Sequence, residues 1–253
     1  MKTDQKILEV KEVHKSFDEN YIHRGISFDL YKGETLGLLG NSGSGKSVLL
    51  RSLIGLEQIQ QGSIFFHEKR IDQMTEDEYL PLRTKISYSF QYGALFDSIS
   101  VFENMAYPLY EHTKLSDEEV AQKVYSYLDL IDLKGKGDLM PSELSGGMQK
   151  RVGLARSVIL GPEIVLYDEP TAGLDPNNTR NILKVMSSFK EQQMSSIFVT
   201  HDIPSALEIC DRILIIREGK IGFNDTPQKL MDSKDPFLTS FFEHEHLLSK
   251  MRN

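Results

Sequence analysis

The chain has 253 residues, 40% of them hydrophobic, which is enough to bury the core of one large α/β domain. Its 37 acidic residues outnumber its 29 basic ones, and the net charge of −8 argues against a general nucleic-acid binder, which needs a basic surface. The single cysteine, Cys210, excludes an internal disulfide and fits a reducing compartment.

The first ten residues have no long apolar core, so we expect no signal peptide. No apolar run in the chain approaches the ~20 residues that a membrane-spanning helix needs. We therefore expect a soluble chain, which another protein would have to hold if it acts at a membrane.

The N-terminal part of the chain alternates between strand patterns and turns. Residues 7–17 alternate apolar and polar side chains, which predicts a strand of the kind found at the edge of a sheet. Residues 26–40 contain two strands around a Lys-Gly turn. Residues 62–71 predict a short antiparallel piece, and residues 84–90 predict a buried strand.

A glycine-rich loop, residues 40–47 (GNSGSGKS), joins a predicted strand to a predicted helix and satisfies the pattern G-x-x-x-x-G-K-[ST]. Its glycines let successive backbone N–H groups curl around an anion, and the helix that begins there adds the positive end of its dipole. Lys46 can reach the β- and γ-phosphates, and Ser47 can offer a hydroxyl to Mg²⁺. The loop predicts a nucleoside triphosphate site, but kinases, GTPases and motor ATPases share it.

Strand patterns fade between residues 92 and 156, where the sequence predicts a helical insert. Residues 116–133 have a serine cap, an acidic first turn and apolar side chains at helical spacing. Residues 145–160 also predict a helix, and Ser145 followed by two glycines makes a second anion-binding helix terminus. One nucleotide needs only one such terminus, so we expect a two-fold symmetric head-to-tail dimer with each nucleotide between Lys46 of one subunit and Ser145 of the other.

Strands return in the C-terminal part. Residues 163–169 and 195–202 contain apolar runs typical of parallel strands covered on both faces, separated by a predicted helix over residues 177–193. Residues 212–225 predict a hairpin. Asp168 and Glu169 end the first of these strands, where one carboxylate can hold Mg²⁺ through water and the next can polarise an attacking water.

Over nearly its whole length the sequence resembles the ATP-binding cassette (ABC) ATPases. Seven elements match the family in order: Phe17, where an aromatic ring stacks on adenine; residues 40–47, similar to Walker A; Gln91, at the Q-loop glutamine; residues 144–149 (LSGGMQ), similar to the signature; residues 164–169, similar to Walker B; residues 173–176 (GLDP), similar to the D-loop; and His201, at the switch histidine. Tyr21 is an alternative aromatic close to Phe17. Met148 stands where many relatives have glutamine, which we interpret as a packing difference.

The resemblance implies an α/β P-loop NTPase (ABC ATPase) core with an antiparallel β subdomain and an inserted α-helical subdomain. Residues 1–253 would form a single ABC ATPase domain. Residues 1–91 and 157–253 would be the catalytic RecA-like and β subdomain, and residues 92–156 the helical subdomain with the signature.

The resemblance also implies the cofactors ATP and Mg²⁺ and a role for each matching residue. Catalysis would use Glu169 as base or water-orienting group and His201 at the γ-phosphate, with Lys46 and Gln91. Mg²⁺ would be served by Ser47, Gln91 and Asp168. Asp175 would also communicate across the dimer. The nucleotide would be bound by Phe17, Gly40, Asn41, Ser42, Gly43, Ser44, Gly45, Lys46, Ser47, Val48, Ser145, Gly146, Gly147, Gln149 and Asp175.

Residues 43–56, 90–109 and 166–176 together look like the ATPase subunits of Mce-associated lipid transporters. That branch implies a peripheral ATPase pair on the cytoplasmic side of the inner membrane. Its partners would be an integral-membrane permease and an Mce-domain protein, and its cargo phospholipid or another hydrophobic molecule. A different transported substrate stays open. A soluble ATPase on ribosomes or DNA is a further alternative, although such relatives usually carry two cassettes, a coiled-coil insertion or basic extensions. A scaffold without turnover would be expected to lack Glu169 or His201.

Two apolar segments have open roles. Residues 92–110 follow Gln91, and we expect them to expose Phe96, Phe102, Met105 and Tyr107 as a permease contact, or else to pack them within the insert. The C-terminal segment would dock Phe237, Leu238, Phe241 and Phe242 on the domain itself or on a partner. Its two histidines, His244 and His246, are too few to predict a metal site.

Overall fold

The structure, a computed structural model, describes residues 5–91, 93–236 and 238. Within these ranges the strands are β1 (Lys6–Phe17), β2 (Asn20–Tyr31), β3 (Thr35–Gly40), β4 (Gln61–Phe66), β5 (Lys69–Arg70), β6 (Ile86–Ser89), β7 (Ile164–Asp168), β8 (Ser195–Val199), β9 (Arg212–Arg217) and β10 (Lys220–Asp225). The α-helices are α1 (Lys46–Leu53), α2 (Glu76–Arg83), α3 (Val101–His112), α4 (Asp117–Leu130), α5 (Gly146–Val158), α6 (Pro176–Glu191), α7 (Ile203–Ile209) and α8 (Pro227–Met231). No helix in these ranges is long and apolar enough to cross a membrane.

The first sheet is antiparallel, with strand order β2-β1-β4-β5. The prediction that residues 7–17 form an edge strand is wrong, because β1 pairs with β2 on one side and with β4 on the other. Alternation of apolar and polar side chains shows only that one face of a strand is solvated. It does not tell how many neighbours the strand has.

The second sheet is the core of the domain and has the order β10-β9-β3-β8-β7-β6. Its neighbours are parallel except for β10, which returns antiparallel to β9 as the predicted hairpin. In register, Val199 of β8 lies beside both Leu38 of β3 and Asp168 of β7. The segments that follow these three strands therefore meet at one edge of the sheet, where ligands bind in open α/β folds.

Alternate residues of each core strand face two different hydrophobic clusters. Leu38 and Leu166 pack with α1, α2 and the antiparallel sheet. Leu39 and Tyr167 pack on the other side with the inserted helices and α6. Both faces are buried because successive strand side chains point to opposite sides, which explains the continuous apolar runs in the sequence.

The helical insert lies between β6 and β7 and contributes α3, α4 and α5, joined by a 3-10 turn over Pro141–Glu143. The predicted helix after Ser116 is confirmed, with Glu119 N–H donating to the serine side chain in a capping box. Side chains of the insert share a cluster with the parallel sheet. The α/β fold with an antiparallel sheet and inserted helices is confirmed.

Candidate functional site

The glycine-rich loop leaves β3 and enters α1 at the ligand edge of the core sheet. Ser44 N–H donates to the Asn41 carbonyl at 3.1 Å, which closes the loop into a turn. The Lys46 side chain is buried, and its Nζ donates to the carbonyls of Gly40 (2.8 Å) and Asn41 (3.0 Å). The ammonium is therefore held against the loop itself, with the N-terminus of α1 beside it, and the two together suit an anion such as phosphate.

Asp168, the last residue of β7, is held by two hydroxyl donors. Ser47 Oγ donates to its Oδ1 at 2.8 Å and the Tyr88 hydroxyl donates to its Oδ2 at 2.5 Å. Burial and the neighbouring carboxylate raise the pKa of Tyr88, so the phenol stays protonated and remains a donor. A hydroxyl and a carboxylate in contact are the hard oxygen ligands that Mg²⁺ prefers, so Ser47 and Asp168 fit the predicted ion.

Glu169 and His201 form the second contact of the site, with Glu169 Oε2 2.9 Å from His201 Nδ1. The backbone of Glu169 is in the left-handed region, at φ 50°, which is strained for a residue with a Cβ. Its N–H donates to the Val199 carbonyl at 3.0 Å, which ties the turn after β7 to the end of β8. The Glu169 carboxylate thereby reaches the histidine that follows the neighbouring strand.

Two further residues reach this site and were not predicted. Tyr88 lies on β6 beside Leu166, three residues before Gln91, and only the strand pairing brings it to Asp168. Lys150 of α5 donates from its Nζ to the Ala172 carbonyl in the turn that follows Glu169. Burial lowers the pKa of Lys150, and the nearby Glu169 carboxylate opposes that shift. Lys150 therefore links α5 to the turn that follows Glu169 within one subunit.

Gln91 lies two residues beyond β6, half-buried, where β6 runs beside β7. This places it at the edge of the sheet that carries Asp168. The residue that follows it, Tyr92, is outside the described part of the chain. The role of Gln91 towards Mg²⁺ and the γ-phosphate stays a prediction.

The aromatic residues near the loop occupy different positions. Phe17 lies at the β1–β2 hairpin, where Lys15 Nζ is 4.5 Å from its ring centroid. Tyr21 lines a cavity of about 400 Å³ with the loop residues Gly43 and Ser44; the other lining residues are Ile22, Arg24, Glu218 and Gly219. The Tyr21 ring thus borders the loop. The adenine-stacking role of Phe17 stays a prediction.

The signature segment presents its helix end on the surface. Ser145 caps α5 by accepting the Met148 N–H at 3.3 Å, and both Ser145 and Gly146 are exposed. Gly147 is buried and packs closely against Asn178. A Cβ at position 147 would lie only 2.6 Å from Asn178 Oδ1. Met148 packs against the hydrophobic core, in line with the interpretation of its side chain as a packing difference.

Two other predicted nucleotide ligands make contacts within their own chain. Gln149 Nε2 donates to the carbonyls of Pro141 (2.8 Å) and Leu144 (3.3 Å), which braces the turn before the signature. Asp175 caps α6 by accepting backbone N–H groups of the next residues, and these bonds lower the pKa of its carboxyl. The roles of Gln149 and Asp175 towards nucleotide or partner stay predictions.

The segment after Gln91 is only partly exposed. Phe96 and Tyr107 are about half exposed, with ring centroids 5.5 Å apart. The expectation that Met105 is exposed is wrong, because it lies fully buried on the inner face of α3, and Phe102 is half-buried against the same core. In the C-terminal segment Leu238 is buried in that core. Phe237, Phe241, Phe242, His244 and His246 lie outside the described residues.

Comparison with known proteins shows which family the chain resembles. The family model described as ABC transporter matches residues 23–172. The chain is 35% identical to the intermembrane phospholipid transport system ATP-binding protein MlaF of Haemophilus influenzae, over 96% of this chain and 92% of that protein. It is also 36% identical to the methionine import ATP-binding protein MetN of Francisella tularensis, over 92% of this chain and 67% of that protein.

Two solved structures share the fold. The dimeric ATP-binding cassette MJ0796, in a post-hydrolysis state bound to ADP and Pi, superposes with a TM-score of 0.80 at 27% identity and covers 87% of this chain and 99% of that one. CbiO1 of Clostridium perfringens, part of the ABC transporter complex cbiONQ, superposes with a TM-score of 0.83 at 27% identity and covers 97% of this chain and all of that one.

Proposed function

Because this chain belongs to the ABC transporter family and is an ATPase subunit of that family, we propose that it powers the transport of phospholipid or another hydrophobic molecule. The observation that carries the ATPase assignment is the meeting of Lys46, Ser47, Asp168, Glu169 and His201 at one edge of the core sheet. A scaffold without turnover would be expected to lack Glu169 or His201, and this chain has both.

The chain's own groups divide the work of ATP hydrolysis. Lys46 and the loop amides bind the β- and γ-phosphates at the N-terminus of α1. Glu169 orients the attacking water and accepts its proton, while His201 donates a hydrogen bond from Nδ1–H to that carboxylate and keeps its proton, and contacts the γ-phosphate. Ser47, Asp168 and Gln91 would hold Mg²⁺, which would neutralise charge on the phosphoryl oxygens.

Two subunits would complete each site. The exposed helix end at Ser145 and Gly146 has the geometry of an anion-binding terminus and is open to a second copy of the chain. The similar cassette MJ0796 is dimeric with ADP and Pi bound. We infer that ATP lies between the Lys46 loop of one subunit and the Ser145 terminus of its partner, and that hydrolysis releases the pair.

A separate permease would carry the cargo. CbiO1, which shares the fold, is part of a transporter complex, and the similarity to MlaF extends over 92% of that phospholipid-transport protein. The pair Phe96 and Tyr107, about half exposed after Gln91, offers an apolar contact for a permease helix. The chain would then work as a peripheral subunit on the cytoplasmic side of the inner membrane, with an Mce-domain protein in the complex.

A different cargo is the second candidate, and the similarity to the methionine importer MetN favours it. Affinity purification of the chain in mild detergent, with identification of co-purifying chains and lipids, separates the two. A permease with an Mce-domain partner and bound phospholipid is the expected result. Co-purification of an amino-acid permease instead would refute the lipid branch, and ribosomes would refute transport altogether.

A further inference from the structure

Strand β2 of the antiparallel sheet presses directly on the phosphate loop. Gly45, the last loop residue before Lys46, has φ 90° and is the N-cap residue of α1. A Cβ at Gly45 would lie 2.4 Å from Ile22 Cγ2 and 2.7 Å from His23 Nε2. Glycine is therefore required here both by its conformation and by the two β2 side chains packed against it.

His23 makes a hydrogen bond with this part of the loop. Its side chain is fully buried, and its Nε2 lies 3.1 Å from the Gly45 carbonyl oxygen. A carbonyl oxygen only accepts, so the proton of the imidazole is on Nε2. The same oxygen accepts the Leu49 N–H at 2.9 Å, which is the first hydrogen bond of α1.

The surroundings of His23 favour its neutral form. Burial lowers the pKa of the imidazole, and Lys15, its register partner on β1, lowers it further, against the opposing effect of the Gly45 carbonyl. Nδ1 is buried and has no hydrogen-bond partner within the described part of the chain. The imidazole is thus a neutral donor that uses only Nε2.

The bond acts on a peptide group of the loop that we expect to bind the triphosphate. The Gly45 carbonyl and the Lys46 N–H belong to one planar trans peptide unit, so fixing the oxygen on one side fixes the N–H on the other. We propose that His23 is a positioning residue for the phosphate loop, whose Nε2–H locks the Gly45–Lys46 peptide so that the Lys46 amide is aimed at the triphosphate. This role rests on the loop's part in ATP binding and is independent of the transported molecule.

The geometry allows a matched set of variants. In His23→Gln the side-chain amide nitrogen takes the place of Nε2 and can still reach the Gly45 carbonyl, whereas in His23→Asn it takes the place of Nδ1 and cannot. His23→Leu removes the donor and keeps an apolar filling. Titration calorimetry of the purified chain with MgATP should show about three- to tenfold weaker binding for the Asn and Leu variants, and binding within about twofold of wild type for Gln.

Two results would overturn the proposal. One is equal ATP affinity of the Gln and Asn variants, whether both match wild type or both are weak. The other is an ATP affinity that merely follows the unfolding temperature of the nucleotide-free proteins, which would leave His23 with a structural role only. The Gln and Asn variants suffice if the Leu variant does not fold. Lys46→Ala is the separate control: if it leaves ATP affinity unchanged, the phosphate role of the loop fails, irrespective of His23.

Discussion

Glu169 and His201 lie 2.9 Å apart, carboxylate to imidazole, although 32 positions separate them in the chain. The contact exists because β7 and β8 are adjacent and parallel, with Asp168 beside Val199, so the residues just after each strand meet. The bond from the Glu169 N–H to the Val199 carbonyl fixes the turn in the same place. The carboxylate predicted to activate water is thereby held next to the residue predicted to sense the γ-phosphate.

Glu169→Gln should keep ATP binding and lose hydrolysis, because the amide preserves the shape of the side chain but accepts no proton. We expect turnover to fall about 100-fold or more. The uncleaved ATP should then trap a nucleotide-bridged dimer, visible by size-exclusion chromatography with ATP and Mg²⁺. The same variant without nucleotide is the control, and a purely monomeric profile with ATP and Mg²⁺ would contradict the two-subunit site.

Tyr88→Phe should destabilise the protein, because it removes a hydroxyl that donates to the buried Asp168 carboxylate. The expected loss of unfolding free energy is about 1–3 kcal/mol, measured by urea denaturation. Tyr125→Phe is the matched control, since the exposed Tyr125 on α4 packs its ring on Phe102. An equal effect of the two substitutions would show that the bond to Asp168 contributes nothing specific.

Asn104→Ala should loosen the loop that follows Gln91. Asn104 is fully buried and bonds the Phe96 backbone in both directions, at 2.9 Å and 3.0 Å, while Arg156 Nη1 donates to its Oδ1 at 3.2 Å. Removing the amide leaves an N–H and a carbonyl of the partly buried Phe96 backbone without these bonds and opens a gap at the buried position 104, so we expect a loss of about 1–3 kcal/mol by chemical denaturation. Gln122→Ala, an exposed amide on α4, should change stability by less than about 0.5 kcal/mol.

Phe96→Cys should crosslink to a membrane subunit in the assembled complex, because Phe96 is exposed beside Tyr107 in the predicted permease contact. Mass spectrometry of the crosslinked product identifies the captured chain. Tyr125→Cys, equally exposed on α4, serves as the control position. If cysteine at position 96 captures no more permease than cysteine at position 125, this segment is not the contact.

Local patterns were enough to predict most strands, but they missed helices that contain proline. The α2 and α3 helices hold Pro81 and Pro108, and neither was predicted individually. Each begins with a capping box, Thr75 with Glu78 and Ser100 with Glu103, and this signal in the sequence would have located their first turns.

The sequence by itself determined the family, the phosphate loop and the acidic pair after β7. These features depend on residues close together in the chain, and the spacing of those residues sets which groups can act on one ligand. Tertiary structure alone decided that β1 is an inner strand, that Tyr88 and Ser47 share Asp168, and that His23 supports the loop. Such contacts join residues far apart in the chain. Their partners are chosen by strand order and by the packing of two sheets, which no local spacing encodes.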